Sequence, residues 1–392
     1  MISSFLPYPL FSGGHIRLYN LLKNLKDEHE ITLICEKRDN QIQTDIEEVR
    51  KVCNKLITVN RNKQWTLKNI LKTGFSSDPF LITGHKNKEM QLLINDELVR
   101  ENYDLIHIET SYVYQNLPKV NIPVVVVEHN IEYLVYKKFA SQANPVLRPF
   151  LNIDILKLKK TEERIWRKAT RLVAVSNIEK RFMKRADVAV VPNGVDTEIF
   201  KFRHFENIPQ EKRILFIGDF KWIQNQDTLD FILTDIWPRI VNKLDDLGKN
   251  ENLKLWIVGK NIPEKFKKLD NLEDVIFDEN NKDETPNIFN NAFLLLAPFR
   301  VAGGTSYKIL ESMSSGTCVV TTDLGIVGLE AKKETHVLAS ETAEGLAQNV
   351  VELVLDKSLY KRLTLNARKF VEENYDWKII SKKLSEVYIS SI

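Results

Sequence analysis

Two series of short apolar segments, each interleaved with helical stretches, constrain this chain more than anything else in its sequence. In the first half the segments are Glu30–Cys35, Lys55–Val59, Leu105–Glu109, Val124–Glu128, Arg171–Val175 and Val188–Val191. In the second they are Arg213–Ile217, Lys254–Val258, Val275–Phe277, Phe293–Ala297 and Cys318–Thr321. Several are continuous apolar runs between polar turns, as in the valines Val124–Val127. A strand reads that way when helices cover both faces of a parallel sheet, because neither face then meets water. Between the strands lie apolar residues at helical spacing, such as Leu18, Leu21, Leu22 and Leu25. Strand alternating with helix predicts an α/β fold of two doubly wound, Rossmann-like domains. Pro192-Asn193-Gly194 is turn chemistry and separates the series.

A chain of 392 residues suits two such domains. The expected division is 1–200 and 201–375, with a final helical segment 376–392. A formal net charge of +3 on 56 basic and 53 acidic residues gives no global field for DNA or RNA, so no nucleic-acid partner is expected. Cys35, Cys53 and Cys318 are dispersed and lack metal spacing, which fits a reducing cytoplasm. The apolar runs are strand-length, and no signal-peptide pattern opens the chain, so a soluble protein is expected. Met1–Phe5 reads as the tail of a strand, which fits a short first strand or a chain that starts late. The long segment Leu147–Thr170 mixes basic and apolar residues. That mixture suits either a solvated helix face or peripheral contact with the inner membrane surface.

The chemistry concentrates in Ala302–Gly316, AGGTSYKILESMSSG. A turn of Gly303, Gly304 and Thr305 follows a strand and opens a helix, where glycines admit a ligand and first-turn N–H groups favour an anion. Lys308 falls in that first turn, against the helix dipole, which makes sense beside an anion. Glu311 lies one turn on, on the same face, and a carboxylate can accept two hydrogen bonds from a sugar diol. Ser12-Gly13-Gly14 is a second phosphate-compatible turn, with Gly13 and Gly14 as donor-binding candidates. His129 closes the valine strand between Glu128 and Asn130, at the sheet edge where ligands bind. Glu109, at another strand end, joins Glu128 and Asn130 as an acceptor-side candidate. Arg300 offers a second cation to a diphosphate, and Gly218 a close approach for a phosphate. Asn225 reads as a helix cap.

The segment GGTSYKILESMSSGTCVVTTDLGIVGLEA resembles the donor-site signature of the retaining GT-B glycosyltransferases of family 4. LPYPLFSGGHIRLYNLL, VVVVEHN, VAVSN, VPNGVD, LFIGDFKWIQNQD and LWIVGK resemble further family segments, in the right order along nearly the whole chain. The resemblance implies the GT-B architecture, two domains facing each other across a cleft, with the last helix crossing back to the first. It also implies retention of anomeric configuration. His129 and Lys308 would then serve the reacting centre, while Gly13, Gly14, Gly218, Arg300, Gly303, Gly304, Thr305 and Glu311 bind the donor. If so, Gly14, His129, Lys308 and Glu311 line one groove. The chain departs from the pattern in lacking its first glutamate, which would fall at Gly303, and in carrying Cys318 where proline is usual.

The expected activity is transfer of a hexose-type sugar from a UDP- or GDP-sugar to a carbohydrate or lipid-linked acceptor, in cell-envelope or extracellular glycan synthesis. No bound cofactor is expected beyond that co-substrate. No Asp-x-Asp triplet and no P-loop motif occur, so neither a catalytic metal nor a P-loop nucleotidase is expected. The alternatives are a nucleotide-sugar epimerase of the same fold, or a non-catalytic nucleotide-sugar sensor or scaffold.

Overall fold

The structure is a computed structural model that describes residues 1–249, 251–268, 274–301 and 305–392. It forms two compact units, one of Met1–Pro192 with Ile380–Ile392 and one of Asn193–Ile379.

The first unit is built on a seven-stranded sheet. Its strands are β1 (Ile2–Ser3), β2 (Thr32–Lys37), β3 (Lys55–Asn60), β4 (Ile106–Glu109), β5 (Val124–Glu128), β6 (Arg171–Ala174) and β7 (Ala189–Val190). They lie in the order β3-β2-β1-β4-β5-β6-β7, every neighbouring pair parallel. The winding reverses between β1 and β4, and the crevice beyond the carboxyl ends of strands at such a reversal is where ligands bind. Val125, Val126 and Val127 are fully buried, as a strand covered on both faces requires. The helix Arg148–Lys168 sends Leu158, Ile165 and Trp166 into this core from its second half.

The second unit carries β8 (Lys212–Ile217), β9 (Leu253–Val258), β10 (Val275–Asp278), β11 (Leu294–Ala297), β12 (Cys318–Thr321) and β13 (Leu338–Ala339). The order is β10-β9-β8-β11-β12-β13, again all parallel, with its reversal between β8 and β11. Phe216, Ile257, Leu294, Leu295 and Leu296 form the centre of its core. Helices Ala343–Leu355 and Lys357–Asn374 complete the unit, and helix Trp377–Ile389 leads into the Ile380–Ile392 segment of the first. The doubly wound α/β class expected from the sequence is the class observed.

Candidate functional site

His129 follows β5 directly and stands at the carboxyl edge of the first sheet. Its Nε2 lies 2.6 Å from Oε1 of Glu109, the last residue of β4, and 17% of its side chain stays accessible. The other carboxylate oxygen of Glu109 lies 2.5 Å from His107 Nε2, two residues back on the same strand face. His107 Nδ1 in turn lies 2.6 Å from the hydroxyl of Tyr388 on the C-terminal helix. Arg17, fully buried, sits 3.7 Å from Glu109 and donates to the carbonyls of Val191 and Pro192.

Proton positions in this chain follow from its charges. Burial alone would raise Glu109, but the charge of His129 and hydrogen bonds from both histidines outweigh it and hold the carboxyl well below the ordinary range. Burial lowers His107, with Glu109 opposing, so its ring is neutral. Burial and the Glu109 charge push Tyr388 well up, so its hydroxyl keeps its proton. Tyr388 therefore donates to His107 Nδ1, and His107 and His129 each donate an Nε2–H to the carboxylate. His129 is left with Nδ1 as its outward group. A methyl added to Gly14 would lie 3.5 Å from that nitrogen, so Gly14 and His129 adjoin. Gly13 and Gly14 open the helix Gly13–Leu25, whose N-cap Ser12 is extended.

Two expected acceptor-side residues are corrected here. Glu109 is fully buried and its oxygens are taken up by the two histidines, so it positions His129 and does not face an acceptor. Glu128 is also buried, accepting from Trp166 Nε1 at 2.9 Å and lying 3.4 Å from the Ser111 amide nitrogen. The charge at a strand end read as exposed, but both side chains turn into the protein. Asn130 is partly accessible and bonds the Glu132 carboxyl.

In the second unit the helix Tyr307–Ser314 follows β11, beside the strand reversal. Lys308 is its second residue, and its Nζ stands 5.0 Å and 5.3 Å from the ring centres of Phe216 and Phe299. Its polar partner is Asn225 Oδ1 at 3.4 Å, and no carboxylate lies within ion-pair distance among the described residues. Desolvation lowers Lys308 to about 8, opposed by the Glu311 charge. Burial raises Glu311 to about 7, opposed by Lys308. Both keep some accessible surface yet are densely surrounded, and dense surroundings rather than area set the cost of the charged form. The Thr305 hydroxyl, two residues before the helix, is buried without a hydrogen-bond partner among the described residues. A cation, an unpartnered hydroxyl and a helix start are the kinds of group that favour an anion.

Other expected donor residues are occupied by the protein. Arg300 is bound to Asp227 at 2.8 Å and 3.1 Å and covers the Phe231 ring. A Cβ on Gly218 would meet the Asn225 amide at 2.8 Å, so this glycine makes room for Asn225. Asn225 lies inside the first turn of helix Ile223–Phe231 and is not its cap; it donates to the Asp219 carbonyl while holding Lys308. Gly303 and Gly304 lie outside the described residues. Sequence reasoning missed Arg17 and Tyr388 as supports of the His129 site; spacing alone gave no signal for either.

Two family models match the chain: Glycosyltransferase Family 4 over residues 11–199, and Glycosyl transferases group 1 over residues 211–356. A curated relative, an uncharacterized 44.6 kDa protein in the cps region of Klebsiella pneumoniae, is 21% identical, with 96% of each chain covered. Among solved structures, sucrose-phosphate synthase from Thermosynechococcus elongatus is 15% identical at TM-score 0.68, covering 99% of this chain and 98% of that one. Anabaena HepE in complex with UDP-glucose is 14% identical at TM-score 0.63, with 100% of both chains covered.

Proposed function

The chain belongs to the glycosyltransferases, family 4 in its first half and group 1 in its second, and we propose that it transfers a hexose-type sugar from a nucleoside-diphosphate donor with retention. The observation that carries this reading is Lys308, a cation held at a helix start beside aromatic rings and an unpartnered Thr305 hydroxyl, with no carboxylate to neutralise it among the described residues. A donor diphosphate supplies the missing charge, and its negative charge grows as the glycosidic bond breaks, so this cluster favours the transition state. Glu311 accepts the ribose hydroxyls. HepE, crystallised with UDP-glucose, supports a UDP-sugar as donor.

In the transfer the bond from the anomeric carbon to the diphosphate oxygen breaks and a bond to the acceptor oxygen forms on the same face. The acceptor proton passes to the departing phosphate oxygen, so no protein nucleophile is required. His129, fixed by Glu109, presents Nδ1 to the sugar. Gly14 and its neighbour Gly13 leave room for the ligand beside it. The reading includes activity without a metal, the expectation that follows from the absence of an Asp-x-Asp triplet. The acceptor is a carbohydrate or a lipid-linked glycan at the inner membrane surface, in cell-envelope or extracellular glycan synthesis. The relative from the cps region supports that setting.

Calorimetric screening of UDP- and GDP-sugars, followed by product analysis in chelator, tests the reading. Transfer yields free nucleotide and a glycoside, whereas an isomeric nucleotide sugar would indicate epimerisation. Binding without turnover would indicate a sensor. Activity lost to EDTA and restored by manganese would refute metal independence.

A further inference from the structure

The helix Leu67–Phe75 carries Leu67, Ile70, Leu71 and Phe75 on one stripe, spaced as an amphipathic helix requires. Such a stripe ordinarily faces a core. Here it faces outward: Phe75 is 93% exposed, and Trp65, just before the helix, 81%. The first half of helix Arg148–Lys168 is likewise exposed, with Phe150 at 71% and Ile153 and Leu156 beside it. The two helices adjoin, since Lys157 Nζ donates to the Thr73 carbonyl at 2.7 Å and the Phe80 amide to Asp154 at 2.9 Å. Trp65 packs on Phe80 with ring centres 4.6 Å apart. The exposed side chains therefore stand together on adjoining elements, unlike the scattered apolar residues normal on a surface.

The charge around this patch is mostly basic. Residues 61–75 contain Arg61, Lys63, Lys68 and Lys72, and residues 133–153 contain Lys137, Lys138 and Arg148, with no Asp or Glu in either stretch, while Asp154 beside them is engaged by the Phe80 amide. A chain nearly balanced overall has gathered cations beside these exposed apolar side chains. Two copies meeting through this face would bring like charges together, which opposes self-association. An anionic lipid surface accepts both features, apolar side chains among the acyl chains and lysines at the headgroups. No helix among the described residues is long and apolar enough to cross a membrane, so the contact is one of docking. Position also fits: helix Leu67–Phe75 comes after β3 and helix Glu132–Gln142 after β5, both leaving the carboxyl edge where His129 stands.

We propose that Trp65, helix Leu67–Phe75 and the first half of helix Arg148–Lys168 form a docking face for anionic lipid, holding the His129 edge toward a lipid-linked acceptor. This assigns a surface to the membrane contact read above and rests on that reading for its purpose, though the binding itself needs neither donor nor acceptor. The test is co-sedimentation of the full chain with vesicles of equal parts phosphatidylglycerol and phosphatidylcholine, and with phosphatidylcholine alone. Wild type should bind the mixed vesicles at least about ten-fold more tightly, and added salt should weaken that binding. Trp65→Ser with Phe75→Ser, and separately Lys68→Glu with Lys72→Glu, should each lower it by about ten-fold or more. All four positions are exposed, so thermal melts and UDP-sugar affinity should match wild type, which separates failure of docking from failure of the transfer reading. Equal binding to both vesicle types, or no effect in either double variant, would overturn the proposal. So would a dimer by light scattering that both variants abolish, since it assigns the face to a second copy.

Discussion

Donor affinity should depend on pH through Lys308, and the size of the effect follows from the site. Desolvation among Phe216 and Phe299 brings Lys308 to about 8, so at neutral pH its charge is retained only by a modest margin. With that value roughly nine in ten side chains are charged at pH 7 and roughly one in ten at pH 9. If the ammonium holds the diphosphate, the loss of its charge alone should lower affinity for a UDP-sugar about ten-fold between those limits, ~1.4 kcal/mol. The ionisation of Glu311 over the same range offsets that about two-fold, leaving a net fall of about five-fold. The diphosphate diester itself does not titrate in this window, and any share from the base N–H near pH 9 persists in Lys308→Arg, so the difference between wild type and that variant belongs to Lys308. Binding an anion favours the charged form, so the site should take up about half a proton per donor bound at pH 8. Calorimetry in buffers of different ionisation enthalpy measures that uptake directly. Glu311, raised to about 7, must ionise to accept ribose hydroxyls, so affinity should also weaken below neutrality, placing the optimum between the two values. Lys308→Arg keeps a charge that does not titrate here and should flatten the alkaline limb. A wild-type affinity constant from pH 7 to 9, or the same alkaline fall in Lys308→Arg, would refute the reasoning.

Tyr388→Phe should leave His107 Nδ1 buried without its donor, costing about 1–3 kcal/mol in thermal unfolding and slowing turnover through a loosened His129, with donor affinity unchanged. A Tyr388→Phe enzyme of full kcat would show that the buried chain only supports the fold. Gly14→Ala meets Phe5 and His129 at ordinary contact distances of 3.4 and 3.5 Å, so the melting temperature should hold or rise while kcat/KM drops. Unimpaired kcat/KM would mean that no ligand uses that space. Burial raises Glu128 and Glu162, neighbouring charges add to it, and both carboxyls therefore hold protons that the unfolded chain releases above the ordinary carboxylate range. Their contribution to stability is complete below that range and is lost as pH rises through the raised values, so the melting temperature should be lower at pH 8 than at pH 5.5. Substituting Gln at both positions should reduce that slope.

The sheets were legible because parallel strands covered on both faces leave continuous apolar runs, as in Val124–Val127. The two-residue strand Leu338–Ala339 is too short to leave a pattern. In the site, Lys308 could be placed on a helix start because glycines and a strand precede it, whereas its partner Asn225 comes from the first turn of the helix Ile223–Phe231 and is linked to it only by the fold. Glu109 and Glu128 were misplaced for a physical reason: a buried carboxylate and an exposed one look alike in sequence until Arg17, the histidines or Trp166 are brought to them. Arg17 and Tyr388 sit on helices, where a polar residue usually meets water, so nothing local marks them as core.

The place of Tyr388 has a consequence for how the protein comes into being. The histidine site is assembled from residues at β4 and β5 and from a helix whose Tyr388 follows His107 by 281 residues. While the ribosome is still extending the chain, His107 has no hydroxyl to receive and the first sheet lacks one of its covering helices. A product stopped between β13 and Tyr388 carries the strands, the glycine turn and Lys308 yet not the finished support for His129. The support for His129 is thus complete only once Tyr388 has been made, and synthesis interrupted before it leaves the first unit without that hydrogen bond.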